Sequence, residues 1–400
     1  MSLSIYKEAF DNSYQEIFQK VLVAKEIMNT RFEPMLKYGE SVERVAIDIS
    51  GVRVRTVTRG TASTIDTISD SSELITINLE KEAVFHISDG EVTQAGPLNP
   101  GEWIGSQIAI KVAMDLDARC FAEVRNALYD FDNGDLTTGT SSGTAITLNS
   151  TTVPQMVTRM PAKLKNKNNQ LVNTNMVLVV DSYAASDVSQ YLLGKNIDLA
   201  ENVFKNGYTG DVSNAKMYVS ENLTGEATLL SAGTFSDADT VTIGGVVFTA
   251  KTVLGATPGN FLIGANAAAS ITNLTAFIND PSTTNSTQVA LSAANQAIIA
   301  DQLRLTATAT SATVMTIVGT GSGRLTLSES AANWSWATNF LHCYFGKRGA
   351  IDLVVQDIKP VDMRETSDRR GTNVFSSYLA GIKTFADGAK KFLDVLVLVA

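Results

Sequence analysis

The sequence contains little of what most enzymes and secreted proteins display. Its 400 residues include only two cysteines and two histidines. Cys120 and Cys343 lie in apolar surroundings and follow no metal-ligand or redox spacing, so we expect two buried reduced thiols. His86 and His342 are far apart, and no HExxH, CxxC, Walker-type phosphate loop or strand-following GxGxxG is present. We therefore expect no enzyme, and with it no catalytic residue, no metal and no cofactor.

The chain also lacks a secretory signal and any long apolar run. Its first residues do not show a basic region followed by an apolar one. No segment approaches the ~20 apolar residues that a membrane-spanning helix needs. The formal net charge of −9 argues against a surface that grips nucleic acid. We therefore expect a cytoplasmic product without a membrane partner.

The longest helical pattern runs from Asn99 to Gly134. Asn99 can cap the helix, Pro100 suits the first helical position, and Gly134 gives a stop signal. Apolar residues recur every four positions from Ile104 to Leu128, so the apolar stripe winds around the helix by about 40° per step. We expect such a helix to contact different partners along its length, including a neighbouring subunit.

Segments with a period of two precede this helix. Residues 42–60 alternate apolar and polar side chains, and Ser50 and Gly51 are expected to form the turn of a hairpin. A polar run continues to residue 72, and residues 73–88 form a second alternating segment. A long hairpin cannot bury both of its faces by itself, so we expect it to lie on another surface. Its arginines are Arg53, Arg55 and Arg59.

The composition changes between residues 225 and 338. Only nine of these 114 residues are charged, against 18% of the whole chain. Gly244 and Gly245 join two short apolar strands, which is a strong hairpin signal. One or two helices and a second strand pair follow, so the segment predicts a small β-rich unit inserted into a host domain. The apolar strand at the C-terminus must then return to the sheet of the host.

Two features of the inserted unit leave alternatives open. Trp334 and Trp336, two residues apart, either seal the junction with the main body or form a sugar-binding platform. Asp237 and Asp239 form either a polar turn or a calcium site. In each case we prefer the first alternative.

The order of the segments resembles that of one protein family. A helical N-terminal region, the arginine-bearing hairpin, LITINLEKEAVFHISDGEVTQA, the long helix, a strand–helix pair, GYTGDVSNAKMYVSENL and FGKRGAIDLVVQDIKPVDMRE follow one another. This order is similar to that of the major capsid proteins of tailed double-stranded DNA bacteriophages, which have the HK97-like fold. The resemblance covers residues 1–224 and 339–400 and rests on the order of the motifs more than on any one of them.

The resemblance implies an α+β protein of HK97-like capsid fold with an inserted small β-rich domain. The implied parts are an N-terminal arm (1–41), an extended loop that reaches over a neighbouring subunit (42–72), a peripheral domain with the long spine helix (73–150), a first part of the axial domain (151–224), the insertion (225–338), a second part of the axial domain (339–372) and a C-terminal return to the main body (373–400).

The implied function is that of a structural protein that self-assembles, as hexamers and pentamers, into an icosahedral shell around the phage genome. Its partners would be other copies of itself, scaffolding, portal and decoration proteins, and packaged DNA that is enclosed without sequence-specific binding. The implied location is the virion capsid, assembled in the cytoplasm of the bacterial host. The candidate intersubunit contacts are Arg53, Arg55, Arg59, Arg364, Arg369 and Arg370.

Two other functions remain open. An encapsulin-like compartment shell would share the fold and hold a protein cargo in place of DNA. A phage tail or adhesion protein would bind glycans through Trp334 and Trp336 of the insertion.

Overall fold

The computed structural model describes residues 22–34, 39–48, 52–57, 59–60, 62, 65–88, 100–167, 175–193, 211–212, 215–321, 323–330, 332–365 and 370–399. These residues fall into two compact units. Unit 1 includes Met28–Val112 and Gly349–Ala389, and unit 2 comprises Leu22–Ile27, Ala113–Arg348 and Lys390–Ala400. Helices and strands are mixed along the chain, so the α+β class predicted from the sequence is confirmed.

The helices are α1 (Val23–Ile27), α2 (Pro100–Ala122), α3 (Asn133–Thr137), α4 (Thr152–Lys167), α5 (Ser182–Leu193), α6 (Ala267–Asn279), α7 (Ala293–Gln296) and α8 (Ala386–Ala389). The strands are β1 (Ser41–Asp48), β2 (Ser69–Thr76), β3 (Leu79–Ile87), β4 (Tyr129–Phe131), β5 (Met176–Val180), β6 (Asp211–Val212), β7 (Ala215–Val219), β8 (Thr224–Ser231), β9 (Thr240–Ile243), β10 (Val246–Lys251), β11 (Asn260–Leu262), β12 (Leu305–Ser311), β13 (Val314–Gly319), β14 (Leu327–Glu329), β15 (Trp334–Lys347), β16 (Asp352–Glu365), β17 (Thr372–Lys383) and β18 (Phe392–Leu398).

Unit 1 contains a two-stranded antiparallel ribbon, β1–β2, and the three-stranded sheet β16–β17–β3. The ribbon pairs Asp48 with Ser69. The predicted turn at Ser50–Gly51 lies outside the described residues, but this register places residues 52–60 in the connection and not in the returning strand. The hairpin is therefore longer than predicted. Alternation of side chains shows that a strand forms, but it does not identify the partner of that strand.

The second alternating segment of the sequence divides between two sheets. β2 pairs with β1, whereas β3 pairs with β17. Ile75 and Ile77, at the end of β2, are buried together with Phe32, Val354 and Phe385. The base of the ribbon is thus fixed to a hydrophobic core within unit 1.

Unit 2 is built on a nine-stranded sheet with the main order β12–β13–β8–β15–β5–β7–β6. The C-terminal strand β18 pairs with β15 on one side and with β4 on the other. Six of its seven residues are buried, so its predicted return to the host sheet is confirmed. β5 is buried along its whole length, and Asp181 after it accepts a hydrogen bond from the Ala184 N–H at the start of α5.

The inserted segment has its own hydrophobic core between two sheets. The four-stranded sheet β11–β10–β9–β14 faces the β12–β13–β8–β15 part of the large sheet, α6 follows β11 in the chain, and the shared core includes Phe248, Phe277 and Trp334. The hairpin at Gly244–Gly245 is confirmed, and both glycines have positive φ, 59° and 81°. The unit does not hang from a linker, however, because β8 and β15 run through its predicted boundaries as paired strands.

The long helix ends earlier than predicted. α2 stops at Ala122, and residues 123–126 form a 3₁₀ turn. Tyr129–Phe131 then pairs with β18 as a strand. Asp132 caps α3 through a capping box with Asp135, so Asn133–Gly134 begins a new helix and does not end the old one.

The last turns of α2, from residue 116 to residue 121, are covered by the chain's own residues. Leu116, Asp117, Ala118, Cys120 and Phe121 are all buried. Consecutive buried positions point in different directions around a helix, so more than one face is covered. Over these residues the winding apolar stripe does not need a neighbouring subunit, contrary to the prediction.

Most of the predicted N-terminal helix lies outside the described residues. Within unit 2, α1 is held by the buried Asp117 of α2, which accepts hydrogen bonds from the backbone N–H groups of Val23 (3.0 Å) and Ala24 (2.9 Å). Burial raises the pKa of Asp117 to about 7, against the lowering effect of these two hydrogen bonds. The side chain of Asp117, among the apolar residues of α2, thus holds α1 in place.

Candidate assembly interface

The two faces of the β1–β2 ribbon have different surroundings. On one face Val42 and Ile75 pack against the core of unit 1, and Arg44 donates to Asp387 (2.6 Å). The register places Val45 and Leu74 together on the opposite face, where they are 59% and 50% exposed. Two large apolar side chains on the outer face of a ribbon are costly in water.

The connection beyond the ribbon is also apolar and exposed. The Arg53 N–H donates to Asp66 (2.8 Å), and the Arg55 guanidinium pairs with the same carboxylate (2.5 Å). The two limbs of the connection therefore run side by side. Seven of the fifteen large hydrophobic side chains that are exposed among the described residues belong to the ribbon and its connection. They are Val45, Val52, Val54, Val57, Ile65, Ile68 and Leu74.

This composition marks the arm, defined here as residues 41–76, as an interaction surface. An isolated two-stranded ribbon is marginal in water, because it needs a third strand or another packed layer for stability. A contiguous apolar patch with polar residues around it is typical of a protein–protein contact. The arm is therefore the strongest candidate interface in the described part of the chain.

The candidate arginines fall into two groups. Arg53, Arg55 and Arg59 lie on the arm, and Asp66 brings the first two together. Arg364 makes two hydrogen bonds to Asp362 (3.0 and 2.7 Å). It also lies over the ring of Phe375 (5.1 Å). Arg370 is exposed just before β17, and Arg369 lies outside the described residues.

A second exposed surface in unit 1 is the outer face of the sheet β16–β17–β3. The register places Glu80, Glu82 and Val84 of β3 on the same face as Phe375 and Ser377 of β17. Glu80, Glu82 and Val84 are exposed. A groove of about 480 Å³ is lined by Glu80, Lys81, Glu82, Asp362, Arg364, Phe375 and Ser377. The groove is lined by three acidic side chains and by the basic Lys81 and Arg364, whereas the exposed apolar side chains of the arm lie next to arginines in the chain.

The two histidines are both held by hydrogen bonds. His86 Nδ1 lies 2.8 Å from Asn373 Oδ1, as expected of a satisfied strand histidine. His342 is buried, with Nδ1 2.7 Å from Asp394 and Nε2 3.3 Å from Glu226, which also pairs with Arg125 (2.9 Å). Both nitrogens of the His342 ring are thus engaged within this group of four side chains.

The other candidate binding residues, two tryptophans and an aspartate of the insertion, contact other residues of the fold. Trp334 is 2% exposed and stacks on Phe235 (centroids 3.8 Å apart), so it is not a sugar-binding platform. Trp336 packs against the same core. Asp237 accepts from the Thr252 N–H (2.8 Å) in a polar turn. No group of three His, Cys, Asp or Glu side chains within the described ranges is placed to hold a metal ion.

Both cysteines are buried and free, as predicted. None of the helices in the described ranges is long and apolar enough to cross a membrane.

Sequence reasoning missed three buried or half-buried charges of unit 2: Asp117, Asp115 and Arg304. Asp115 accepts from Arg304 Nη1 (2.7 Å) and from Arg119 Nε (2.9 Å). The one available signal was the position of Asp117 within the apolar pattern of the long helix. The pairing of Asp115 with a residue 189 positions away has no signature in a single sequence.

No protein-family model matches the sequence, and no curated protein matches it. Among solved structures, the chain is similar to one from Mycobacterium phage Che8, with 13% identity over 94% of this chain and 90% of that chain and a TM-score of 0.48. It is similar to the capsid of an empty GTA particle, with 10% identity over 95% and 90% and a TM-score of 0.43. It is also similar to a virus-like particle from Pyrococcus furiosus, with 11% identity over 99% of both chains and a TM-score of 0.41.

Proposed function

We propose that this chain is a structural major capsid protein with an HK97-like fold. Many copies assemble through their arms into an icosahedral shell that encloses the double-stranded DNA of a tailed bacteriophage. The observation that carries the proposal is the arm, whose outer face and connection expose seven large apolar side chains next to arginines. Such a surface is stable in water only when a partner covers it.

The order of the elements supports the same proposal. The ribbon β1–β2 precedes β3, the long helix α2, a strand–helix pair, the inserted β-rich unit and the long strands β16 and β17. This is the order that the family resemblance of the sequence implies. The boundaries given above for the N-terminal arm (1–41), the extended loop (42–72) and the peripheral, axial and insertion parts are retained as part of the proposal, and the arm of residues 41–76 corresponds to the extended loop.

The arm of one copy docks on the outer face of the β16–β17–β3 sheet of another copy. Arg53 and Arg59 of the arm meet Glu80 and Glu82 of that face, while the valines of the arm cover Val84 and Phe375. The two surfaces are different, so the contact is heterologous, and heterologous contacts that close form rings. Rings of six and five copies then provide the hexamers and pentamers of a shell.

The partners follow from this assembly. The chain binds other copies of itself, with scaffolding, portal and decoration proteins as further partners. The DNA is enclosed without sequence-specific binding, in keeping with the net charge of −9. Assembly takes place in the cytoplasm of the bacterial host, and the virion capsid is the final location.

Charge reversal tests the docking of the arm. We expect the double variant Arg53→Glu/Arg59→Glu to remain folded by circular dichroism but to form no shells in negative-stain microscopy. A second double reversal, Glu80→Arg/Glu82→Arg, combined with the first in the same chain, should restore shells, because each contact then has opposite charges again. Lys165→Glu, an exposed reversal on α4, is the matched control and should assemble normally.

Three outcomes would count against the proposal. Normal shells from the arm variant would refute the role of the arm, and a failure of the second reversal to rescue assembly would refute its docking surface. A wild-type protein that stays monomeric at high concentration would refute the capsid function itself. Shells that contain a protein cargo and no DNA would favour the encapsulin-like compartment.

A further inference from the structure

The inserted segment is joined to the rest of unit 2 by ion pairs at three separate places. Each pair links one residue between 225 and 338 to a residue outside that range. All of the linked residues belong to unit 2. This arrangement is unexpected for a segment in which only nine of 114 residues are charged.

The first link reaches the long helix. Arg304, just before β12, donates from Nη1 to Asp115 of α2 (2.7 Å) and from Nη2 to the Thr320 carbonyl (2.6 Å). Its side chain is 12% exposed, and Asp115 is itself fixed by Arg119 (2.9 Å). Arg304 has φ of +47°, in the left-handed region that costs energy for a residue with a side chain. The chain thus adopts an unfavourable backbone conformation at the residue that makes this contact.

The second link joins the insertion to the 3₁₀ turn that follows the long helix and to the C-terminal strand. Glu226 of β8 pairs with Arg125 (2.9 Å) and with His342 (3.3 Å), and His342 pairs with Asp394 of β18 (2.7 Å). The four side chains alternate in charge when the histidine is protonated. One residue of the insertion therefore connects two separate elements of the main body.

The third link reaches the start of α5. Arg324 Nε lies 2.5 Å from Asp181, whose side chain is 2% exposed and also caps α5. The guanidinium lies over the ring of Tyr183 (4.5 Å). The carboxylate that begins the helix is thus neutralised by a residue from the insertion.

We propose that residues 225–338 act as a brace: the three links and the continuous strands β8 and β15 clamp the insertion to α2, α5 and β18, so that the insertion stiffens the main body of unit 2. A decorating module would need only its two chain connections. Each link includes a charged or titratable side chain that is at most 12% exposed (Arg304, His342 or Asp181), and such groups are costly to bury unless they are paired. Links at three places therefore indicate that the position of the insertion is itself specified.

Hydrogen exchange of the unassembled full-length chain tests the brace. We expect Arg304→Gly to raise exchange about tenfold in backbone amides of residues 113–122 of α2, because local opening there no longer breaks an ion pair. Glycine removes the cost of the positive φ, so stabilisation by this variant, with unchanged or slower exchange in α2, would overturn the proposal. Lys251→Ala, which removes the exposed pair with Asp237 inside the insertion, is the control and should leave α2 unchanged.

A second variant keeps the test decisive if Arg304→Gly does not fold. Asp115→Asn keeps the shape of the side chain and removes one charge from α2. The brace predicts faster amide exchange in the insertion strand β12, which lies on the other side of the link from Asp115. In the double variant Arg304→Gly/Asp115→Asn, exchange should be no faster than in the faster of the two single variants, since both substitutions break the same contact. Independent, multiplying effects would mean that the two residues do not act through each other. Because the protein is unassembled, this result does not depend on shell formation.

Discussion

His342 provides the sharpest prediction on stability. Its ring is 5% exposed between Asp394 and Glu226. Burial lowers the pKa of a histidine, but the hydrogen bonds and negative charges of Asp394 and Glu226 outweigh that effect and raise the pKa of His342 from 6.5 to about 9. The same contact lowers the pKa of Glu226, while burial raises the pKa values of Asp394 and Asp130.

The magnitude follows from the shift. A difference of one pKa unit corresponds to about 1.4 kcal/mol, so a shift from 6.5 to about 9 is worth roughly 3 kcal/mol of folding free energy. The folded state binds the proton more tightly than the unfolded state. The stabilisation is therefore complete below pH 6.5 and is lost as the pH rises through about 9.

The assay is urea unfolding of the wild type and of His342→Gln at several pH values. At pH 6 the variant should be less stable by about 3 kcal/mol or more, because Asp394 and Glu226 lose their buried cation. At pH 10 the difference should be much smaller. His86→Gln, which removes the other histidine, is the control for effects of the substitution itself. A difference between wild type and His342→Gln that is the same at pH 6 and pH 10 would refute the reasoning.

Two further predictions concern residues of unit 2. Because burial raises the pKa of Asp117 to about 7, the ionised side chain is unfavourable in the folded state. The unfolding free energy of the wild type, relative to that of Asp117→Asn, should therefore decrease as the pH rises from 4 to 7. A difference in unfolding free energy that stays constant over this range would contradict the prediction. In Gly346→Ala the new Cβ would lie 2.2 Å from Phe392 Cβ across the β15–β18 pair, so we expect a loss of about 1–3 kcal/mol. Gly255→Ala, with nothing within 4 Å, should change the thermal midpoint little, and equal effects of the two alanines would count against the packing argument.

Local signals predicted the elements that are stabilised locally. Two adjacent glycines fixed the turn of the β9–β10 hairpin, where both adopt positive φ. Asn99 and Pro100 correctly indicated the start of the long helix, which begins at Pro100. In these places the residues that determine the structure are within a few positions of one another, so a single sequence contains the necessary information.

The predictions of secondary structure and strand pairing were wrong where residues far apart in the sequence determine the structure. Tyr129–Phe131 fits a helical pattern, yet it forms a strand because β18, more than 250 residues later in the chain, offers a parallel edge. The alternating residues 52–60 suit a strand, yet β1 pairs with residues 69–76. For the candidate interface, the sequence identified the arginines of the arm but not the exposed valines as one surface. Exposure depends on what the rest of the chain covers.

Because much of the long helix is buried within the chain, the contact surface for the proposed assembly has to lie mainly elsewhere. Its winding apolar stripe suggested that a neighbour must cover part of it. In the structure, positions 116–118 and 120–121 are buried within the chain, so these five positions offer no apolar surface to a neighbour, and in the second half of the helix Met114 is the large apolar side chain that stays exposed, at 43%. Among the described residues of the arm, in contrast, Ile75 is buried at the base beside Ile77, and the valines and isoleucines of the connection are exposed. Under the proposed function the arm is therefore the main surface for association, and variants that alter the arm should abolish shells without unfolding the chain. Variants that alter residues 116–121 should unfold it.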